Sequence, residues 1–286
     1  MKHSLITRRL LLIYQMPKTG SQTVEATLQR CSLPHHIYRC HFLRPELTKN
    51  LKKAVTAGGK CDTWKSNAQR QLEMAATLSK VIKVRNFLRR FRINIPKIEV
   101  ITGVREVISL ALSSIFQNHS MFVPNLSGLT TETCRELLRR PKMFLTLENW
   151  FELELEATFG LNVYETHFPR QTGYAICENP YARVLIYRME SLHKLPAMLS
   201  EFLGCVVPEV VGRNLGHAKD YAHQYSSVKR QLRLPASFVA ARYGTRLMQH
   251  FYSNRERAEF ASLWIEREPG QREYEPAKLT SPSLSK

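Results

Sequence analysis

Apolar residues gather in four short runs along the chain, and a helical spacing follows each run. The first run, residues 10–14, reads LLLIY. It is too short to cross a membrane, and a continuous apolar run bounded by turn residues suits a strand buried on both faces of a parallel sheet. Residues 37–42, 98–104 and 183–188 predict three more strands, and the first strand extends over 10–15. Apolar positions recur three and four residues apart over 62–91, 106–116, 131–140, 145–159, 192–202, 235–252 and 255–264, which predicts helices there. Gly160 is placed to end the fourth of these, 145–159. A basic stretch over 44–60 also reads as helical. The alternation predicts an α/β fold: a central, mostly parallel sheet with helices on both faces. Residues 121–128 and the polar, aromatic stretch 214–234 lack periodicity and read as loops. Residues 266–286, rich in charge, proline and serine, read as a mobile tail. The expected organisation is an extension over 1–8, a single domain over 9–265 and the tail.

Composition narrows this picture. The chain has 286 residues and 43% apolar content, enough for a substantial core. Its formal net charge of +18 points to a polyanionic partner without saying which: nucleic acid, an anionic membrane surface, an anionic polysaccharide or a multiply charged nucleotide. The six cysteines show no C-x-x-C spacing, which fits reduced thiols in a cytosolic protein rather than disulfides or a zinc site. The N-terminal basic residues precede an apolar run with no small-residue cleavage site, so no signal peptide is expected. No stretch approaches the length of a membrane span. A cytoplasmic location is therefore expected.

The loop after the first strand carries the densest chemistry: Pro17, Lys18, Thr19, Gly20, Ser21, Gln22 and Thr23. A strand, a tight loop and a helix N-terminus form an anion site, because free backbone N–H groups and the positive end of the helix dipole converge there. Ser21 and Thr23 are expected to cap the helix, and Lys18 adds a mobile charge. This is not a Walker A loop, in which lysine follows a longer glycine-rich segment. Later in the chain, Arg105 stands where strand 98–104 passes into a helix, and Ser113 lies about two helical turns on. A guanidinium fork suits a phosphate dianion, and a serine hydroxyl adds a neutral donor.

The string PKTGSQT resembles the 5′-phosphosulfate loop of sulfotransferases that use 3′-phosphoadenosine 5′-phosphosulfate (PAPS), most closely the carbohydrate branch. The strand–Arg105–Ser113 arrangement resembles the 3′-phosphate motif of the same family, with Val107 where a proline is common. The lines WFELELEATFG, NVYETHF and GYAICEN resemble a sulfotransferase-related subgroup named for capsular polysaccharide synthesis. The resemblance implies a P-loop-like, sulfotransferase-type sheet and transfer of a sulfuryl group from PAPS to a hydroxyl, on a carbohydrate acceptor, leaving adenosine 3′,5′-bisphosphate (PAP). It implies that Lys18 stabilises the bridging oxygen and that residues 17–23 hold the 5′-phosphate and sulfonate. Arg105 and Ser113 then hold the 3′-phosphate, and His41 serves as base. His35 and His36 are rivals to His41, and Glu154 is a second base candidate in an acidic cluster with Glu152 and Glu156 that otherwise reads as a solvated face. Late in the chain, the family closes a basic loop over the nucleotide. Lys219, Tyr221, Tyr225, Lys229 and Arg230 occupy that region, where an aromatic ring can stack on adenine. Arg188 and Glu190 are expected to form a structural ion pair, and Trp264 to cap the core. No metal and no nucleic acid partner are expected; an anionic membrane surface is a peripheral candidate. Golgi members of the family carry an anchor and stem that this sequence does not show, which suggests a bacterial-type soluble enzyme or a bare catalytic domain. Two alternatives stand beside this reading: a P-loop kinase or NTPase, and a non-enzymatic polyanion-binding module.

Overall fold

The computed structural model describes residues 9–44, 46, 49, 67–90, 97–140, 142–212 and 219–266. Five strands form one sheet: β1 (Arg9–Tyr14), β2 (His35–Cys40), β3 (Ile98–Val104), β4 (Tyr174–Glu178) and β5 (Ala182–Arg188). Their order is β2-β1-β3-β5-β4. β1 pairs in parallel with β2 and β3, β3 pairs in parallel with β5, and β4 runs antiparallel to β5 at the edge. The fold is therefore mixed α/β, and the helices are α1 (Ser21–Gln29), α2 (Asn67–Arg90), α3 (Val107–Gln117), α4 (Thr131–Arg139), α5 (Lys142–Glu148), α6 (Leu195–Leu203), α7 (Ala222–Gln231), α8 (Ala236–Tyr243), α9 (Arg246–Phe251) and α10 (Asn254–Trp264).

The alternation of side chains along β1 builds both layers. Leu10, Leu12 and Tyr14 face a core that includes Val100, Val104, residues of α3 and the C-terminal helices. Leu11 and Ile13 face Val24 and Leu28 of α1 and Leu195, Met198 and Phe202 of α6. Successive strand residues point to opposite faces, so an unbroken apolar run is what a doubly covered central strand requires. Trp264 is fully buried in the larger core, as expected.

Several boundaries differ from the sequence expectation. β2 lies two residues earlier than 37–42, because its register with β1 runs from Arg9↔His35 to Tyr14↔Cys40. It is an edge strand with mostly half-buried side chains, so the apolar pattern over 37–42 marks its place but not its bounds. β4 was not anticipated, and it too is an edge strand. Residues 145–159 do not form one helix. α5 ends at Glu148, and a π-helical segment, Phe151–Glu156, runs on into Ala157–Phe159; Gly160 ends it in the left-handed region at φ 66°. The pattern over 235–252 splits into α8 and α9 at Gly244 and Thr245. α7 occupies part of the stretch read as a loop. Most of the basic stretch 44–60 and the tail from 267 onward lie outside the described residues.

β1 is flanked on one side by β2 and on the other by β3, so the chain changes direction across the sheet at this point. The crevice outside the carboxyl ends of strands at such a switch is where open α/β sheets bind ligands. The 15–20 loop leaves β1 there, and Arg105 leaves β3 there.

Candidate functional site

The loop after β1 is held from beneath. The Thr19 hydroxyl donates to the Met16 carbonyl at 2.7 Å and accepts from Gln15 Nε2 at 2.8 Å. Tyr187 of β5 donates its hydroxyl to the Thr19 carbonyl at 2.6 Å. Gln15, Thr19 and Tyr187 are all fully buried. Gly103 of β3 makes room for this clamp: a Cβ there would meet the Tyr187 ring at 2.8 Å. Thr19 is thus a staple of the loop, and its hydroxyl is turned away from the cavity above.

Two loop residues adopt left-handed backbone, Lys18 at φ 69° and Gly20 at φ 90°. For a lysine this costs on the order of 1 kcal/mol. Gly20 is the N-cap of α1, and the helix has no side-chain cap and no acid in its first turn. The expectation that Ser21 and Thr23 cap it is corrected: both lie inside the helix, because the left-handed turn at Gly20 starts the helix one residue before the serine. The helix dipole and first-turn N–H groups are left for another acceptor. The Lys18 ammonium donates to Gln117 Oε1 of α3.

Arg105 sits across the crevice from Lys18. Its Nη1 donates to the Lys18 carbonyl at 3.3 Å. Among the described residues no carboxylate forms an ion pair with it. The neighbouring acid, Glu106, is occupied elsewhere: it caps α3 by accepting from the Ile108 and Ser109 N–H groups at 2.6 and 2.8 Å, and it accepts from the Tyr243 hydroxyl at 2.8 Å. Ser113 of α3 lines the same cavity. More cations gather here. Burial, then Lys219 and Arg105, lower the Lys18 pKa to about 8. Burial and then Arg105 likewise lower that of Lys229. Burial raises the Tyr225 hydroxyl and the Arg105 charge opposes that rise. Tyr221 and Tyr225 pack on Phe116 of α3, with ring centroids at 5.8 and 5.3 Å. Burial is the larger cause for both lysines and neighbouring cations add to it, while Glu106 and Glu190 oppose the shift at Lys229.

His41 follows the last residue of β2 and lines the cavity. Its Nδ1 lies 2.8 Å from the Gln15 carbonyl. A carbonyl only accepts, so Nδ1 carries the proton, and Nε2 is the basic nitrogen of the neutral ring. The rivals lie elsewhere. His35 and His36 stand at the amino end of β2, about 20 Å along the strand. His35 Nε2 is 2.6 Å from Glu99 Oε2, in a buried pair.

Glu154 is neither on a solvated face nor in the cavity. It is buried, with Oε2 accepting from the Tyr14 hydroxyl at 2.6 Å, the Leu43 N–H at 2.8 Å and the Arg44 N–H at 3.2 Å. Oε1 pairs with Arg44 Nε at 3.1 Å. Trp150 Nε1 donates to the His41 carbonyl at 3.0 Å. The π-helical segment and the tryptophan before it therefore hold the backbone on both sides of Phe42. The expected Arg188–Glu190 pair is also corrected. Arg188 pairs with Glu256 at 2.5 Å and donates to the Arg170 carbonyl at 2.7 Å. Glu190 accepts from the Glu106 N–H at 3.0 Å and the Tyr252 hydroxyl at 2.9 Å. Both residues are structural, with other partners.

The cavity over the switch point has a volume of about 1110 Å³. It brings together Pro17, Lys18, Gly20, Ser21, Gln22 and Thr23 with His41, Arg105 and Ser113. Lys219, Tyr221 and Tyr225 join them from the region around α7. Lys229, named in the basic region of the sequence without an assigned contact, does not itself line the cavity. It reaches the field of Arg105 because α7 packs against α3 and the 126–129 turn, where Gln224 Nε2 donates to the Leu126 and Leu129 carbonyls. Among the described residues, no group of three or more His, Cys, Asp or Glu side chains could hold a metal ion, and no helix is long and apolar enough to cross a membrane.

Fold and site together define a mixed α/β protein with a cavity lined by several cationic side chains at the switch point of its sheet. Residues 130–253 match the NKWYS family, described as "Putative capsular polysaccharide synthesis protein". The match supports the capsular-synthesis resemblance seen in residues 150–179. It covers Tyr187, Tyr225, Lys229 and Glu154, and it leaves Lys18, His41, Arg105 and Ser113 outside. No curated protein and no solved structure matches the chain.

Proposed function

We propose that the protein transfers a sulfuryl group from PAPS to a hydroxyl of a carbohydrate acceptor, in the synthesis of a capsular or extracellular polysaccharide. The observation that carries this reading is the meeting of Lys18 and Arg105. Two motifs far apart in the chain converge on one crevice, and a nucleotide phosphorylated at both 3′ and 5′ positions presents an anion to each. PAPS supplies an activated sulfuryl group on a phosphate leaving group.

The chain's residues fit the remaining tasks. First-turn N–H groups of α1 and the hydroxyls of Ser21 and Thr23 are the donors available to the 5′-phosphate and sulfonate, with Thr19 offering only its backbone N–H. Arg105, Ser113 and the nearby Lys229 suit the 3′-phosphate. Tyr221 or Tyr225 suits the adenine face. Lys18 faces the bridging oxygen, where negative charge grows as the S–O bond to the phosphate breaks and its electron pair stays on that phosphate. His41 takes the acceptor proton at Nε2 as the acceptor oxygen bonds to sulfur, and its Nδ1–H bond to Gln15 keeps the ring in that tautomer.

The test is thermal unfolding with nucleotides. PAP should raise the melting temperature without added Mg²⁺, since a ligand bound only to the folded state stabilises it. A shift with ATP–Mg²⁺ and none with PAP would replace this reading with that of a kinase or NTPase.

A further inference from the structure

The cavity has two halves of different chemistry. One half holds the anion loop, Arg105 and Ser113. The other is walled by Phe42, Phe122, Met143 and Leu147. Phe42 lies just beyond β2, Phe122 just after the short helical turn that follows α3, and Met143 and Leu147 lie on α5. Residues four apart on a helix share a face, so Met143 and Leu147 meet the cavity together. Met121 beside Phe122 and Leu145 beside Thr146 are 49% and 61% exposed, so apolar side chains also stand outside, next to the lining residues.

The polar groups on this half are few among the described residues: Arg39, Arg140, the Thr146 hydroxyl and the amides of Gln117 and Asn118. Arg39 Nε donates to Glu25 Oε2 at 2.6 Å and is already paired. Arg140, at the C-cap of α4, is exposed, lines the cavity and has no carboxylate partner among the described residues. Among the described residues, no aspartate or glutamate lines the cavity. Of its amides, Gln117 accepts from Lys18 and Asn118 Nδ2 donates to the Ser114 carbonyl at 2.9 Å. A neutral sugar displays many hydroxyls, and holding it requires acceptors as well as donors. This wall offers an apolar surface and a guanidinium instead.

We propose that the acceptor is an anionic amphiphilic alcohol. Its hydroxyl meets His41, its apolar body lies on Phe42, Phe122, Met143 and Leu147, and its anionic group meets Arg140. The inference rests on the sulfuryl-transfer reading and narrows the acceptor to a glycan unit that carries both an acid and an apolar aglycone. The aglycone is an alkyl chain or an aryl group, and the same wall accepts either.

Calorimetric titration of the PAP-saturated protein tests this with four probes below their micellar concentrations: octyl β-D-glucuronide, phenyl β-D-glucuronide, octyl β-D-glucoside and methyl β-D-glucuronide. An octyl or phenyl glucuronide should bind at least about tenfold more tightly than the octyl glucoside, which lacks the acid, or the methyl glucuronide, which lacks the apolar body. The better of octyl and phenyl assigns the aglycone. Arg140→Gln should abolish the preference for the acid and leave PAP affinity within about twofold. Leu147→Asn should abolish the preference for the apolar body. Equal affinity for all four probes, tighter binding of the methyl glycoside or no binding of any probe beside bound PAP would overturn the inference while the sulfuryl-transfer reading stands. Failure to bind PAP at all would overturn both.

Discussion

Arg105 donates from Nη1 to the main-chain carbonyl of Lys18 at 3.3 Å. The bond joins the loop after β1 to the end of β3, and it does so through the backbone of the residue whose ammonium faces the cavity. A guanidinium has five N–H donors, so this contact leaves others for a ligand. Arg105→Ala should weaken PAP far more than adenosine 5′-phosphosulfate, which lacks the 3′-phosphate. The expected loss is about 10- to 150-fold, the worth of a hydrogen bond to a charged group. Equal weakening of the two ligands in parallel titrations would place Arg105 outside a 3′-phosphate site.

Lys18 sets a pH dependence. Its pKa in the folded protein is lowered to about 8 by burial and by Lys219 and Arg105. A bound phosphate favours the ammonium, so affinity for PAP should be constant below that value and fall above it, by up to about tenfold per pH unit for one proton. Lys18→Gln should bind more weakly and lose this component of the profile. The sign for stability is opposite. Between about 8 and the unfolded value near 10.5, the unfolded chain holds the Lys18 proton and the folded chain does not. Lys18 therefore makes the unliganded protein more stable as pH rises through that window. Denaturant titrations of wild type against Lys18→Gln isolate the term; a difference that shrinks or stays flat with rising pH would contradict it.

His41 and Glu154 should separate cleanly. His41→Ala should leave folding and PAP affinity nearly unchanged and lower turnover by about 10²–10⁴-fold, the range for a lost general base. Glu154→Ala should cost about 3 kcal/mol of stability, because it removes a buried acceptor shared by the Tyr14 hydroxyl, two backbone N–H groups and the Arg44 guanidinium. Urea unfolding and single-turnover kinetics on both variants distinguish the roles. Unfolding of His41→Ala, or normal stability of Glu154→Ala, would reverse them.

Gly20→Ala tests the start of α1. The position sits at φ 90°, and an added Cβ would meet Met189 Sδ at 3.0 Å and Leu192 at 3.3 Å. A loss of about 1–2 kcal/mol is expected from backbone conformation alone. PAP affinity should fall as well, since the first-turn N–H groups move with the turn. A variant with wild-type melting temperature and affinity would show that the loop relaxes freely.

What the sequence made legible follows from how local each signal is. β1, β3 and β5 are central and doubly buried, so each reads as an apolar run. β2 and β4 are edges, and their half-exposed patterns carry no comparable mark. Lys18 and Arg105 stand out because a strand end and a helix start place them on one sheet edge without knowledge of the packing. The same argument places His41 beyond β2, although it could not separate His41 from His35; the observed register does. Glu154 was misread because helical spacing says nothing about a π-helical segment, in which the face assignments shift. Arg188 and Glu190 were paired as near neighbours, whereas each found its partner from α9–α10 or from Glu106. Lys219, Tyr225 and Lys229 matter only because α7 folds back on α3, a contact no short stretch encodes.

The clamp from Tyr187 to the Thr19 carbonyl also bears on how the chain folds. β1 is far in sequence from its central partner β3 and farther still from the tyrosine that fixes its loop. Pairings between distant segments fold slowly, because the closure entropy precedes any gain. Until β3 joins it, LLLIY is an apolar strand with one unmatched edge, the kind of segment that associates with other chains. The loop clamp closes only when β5 has added to β3 and brought Tyr187 beneath Thr19, so the loop is pinned after its own strand is paired.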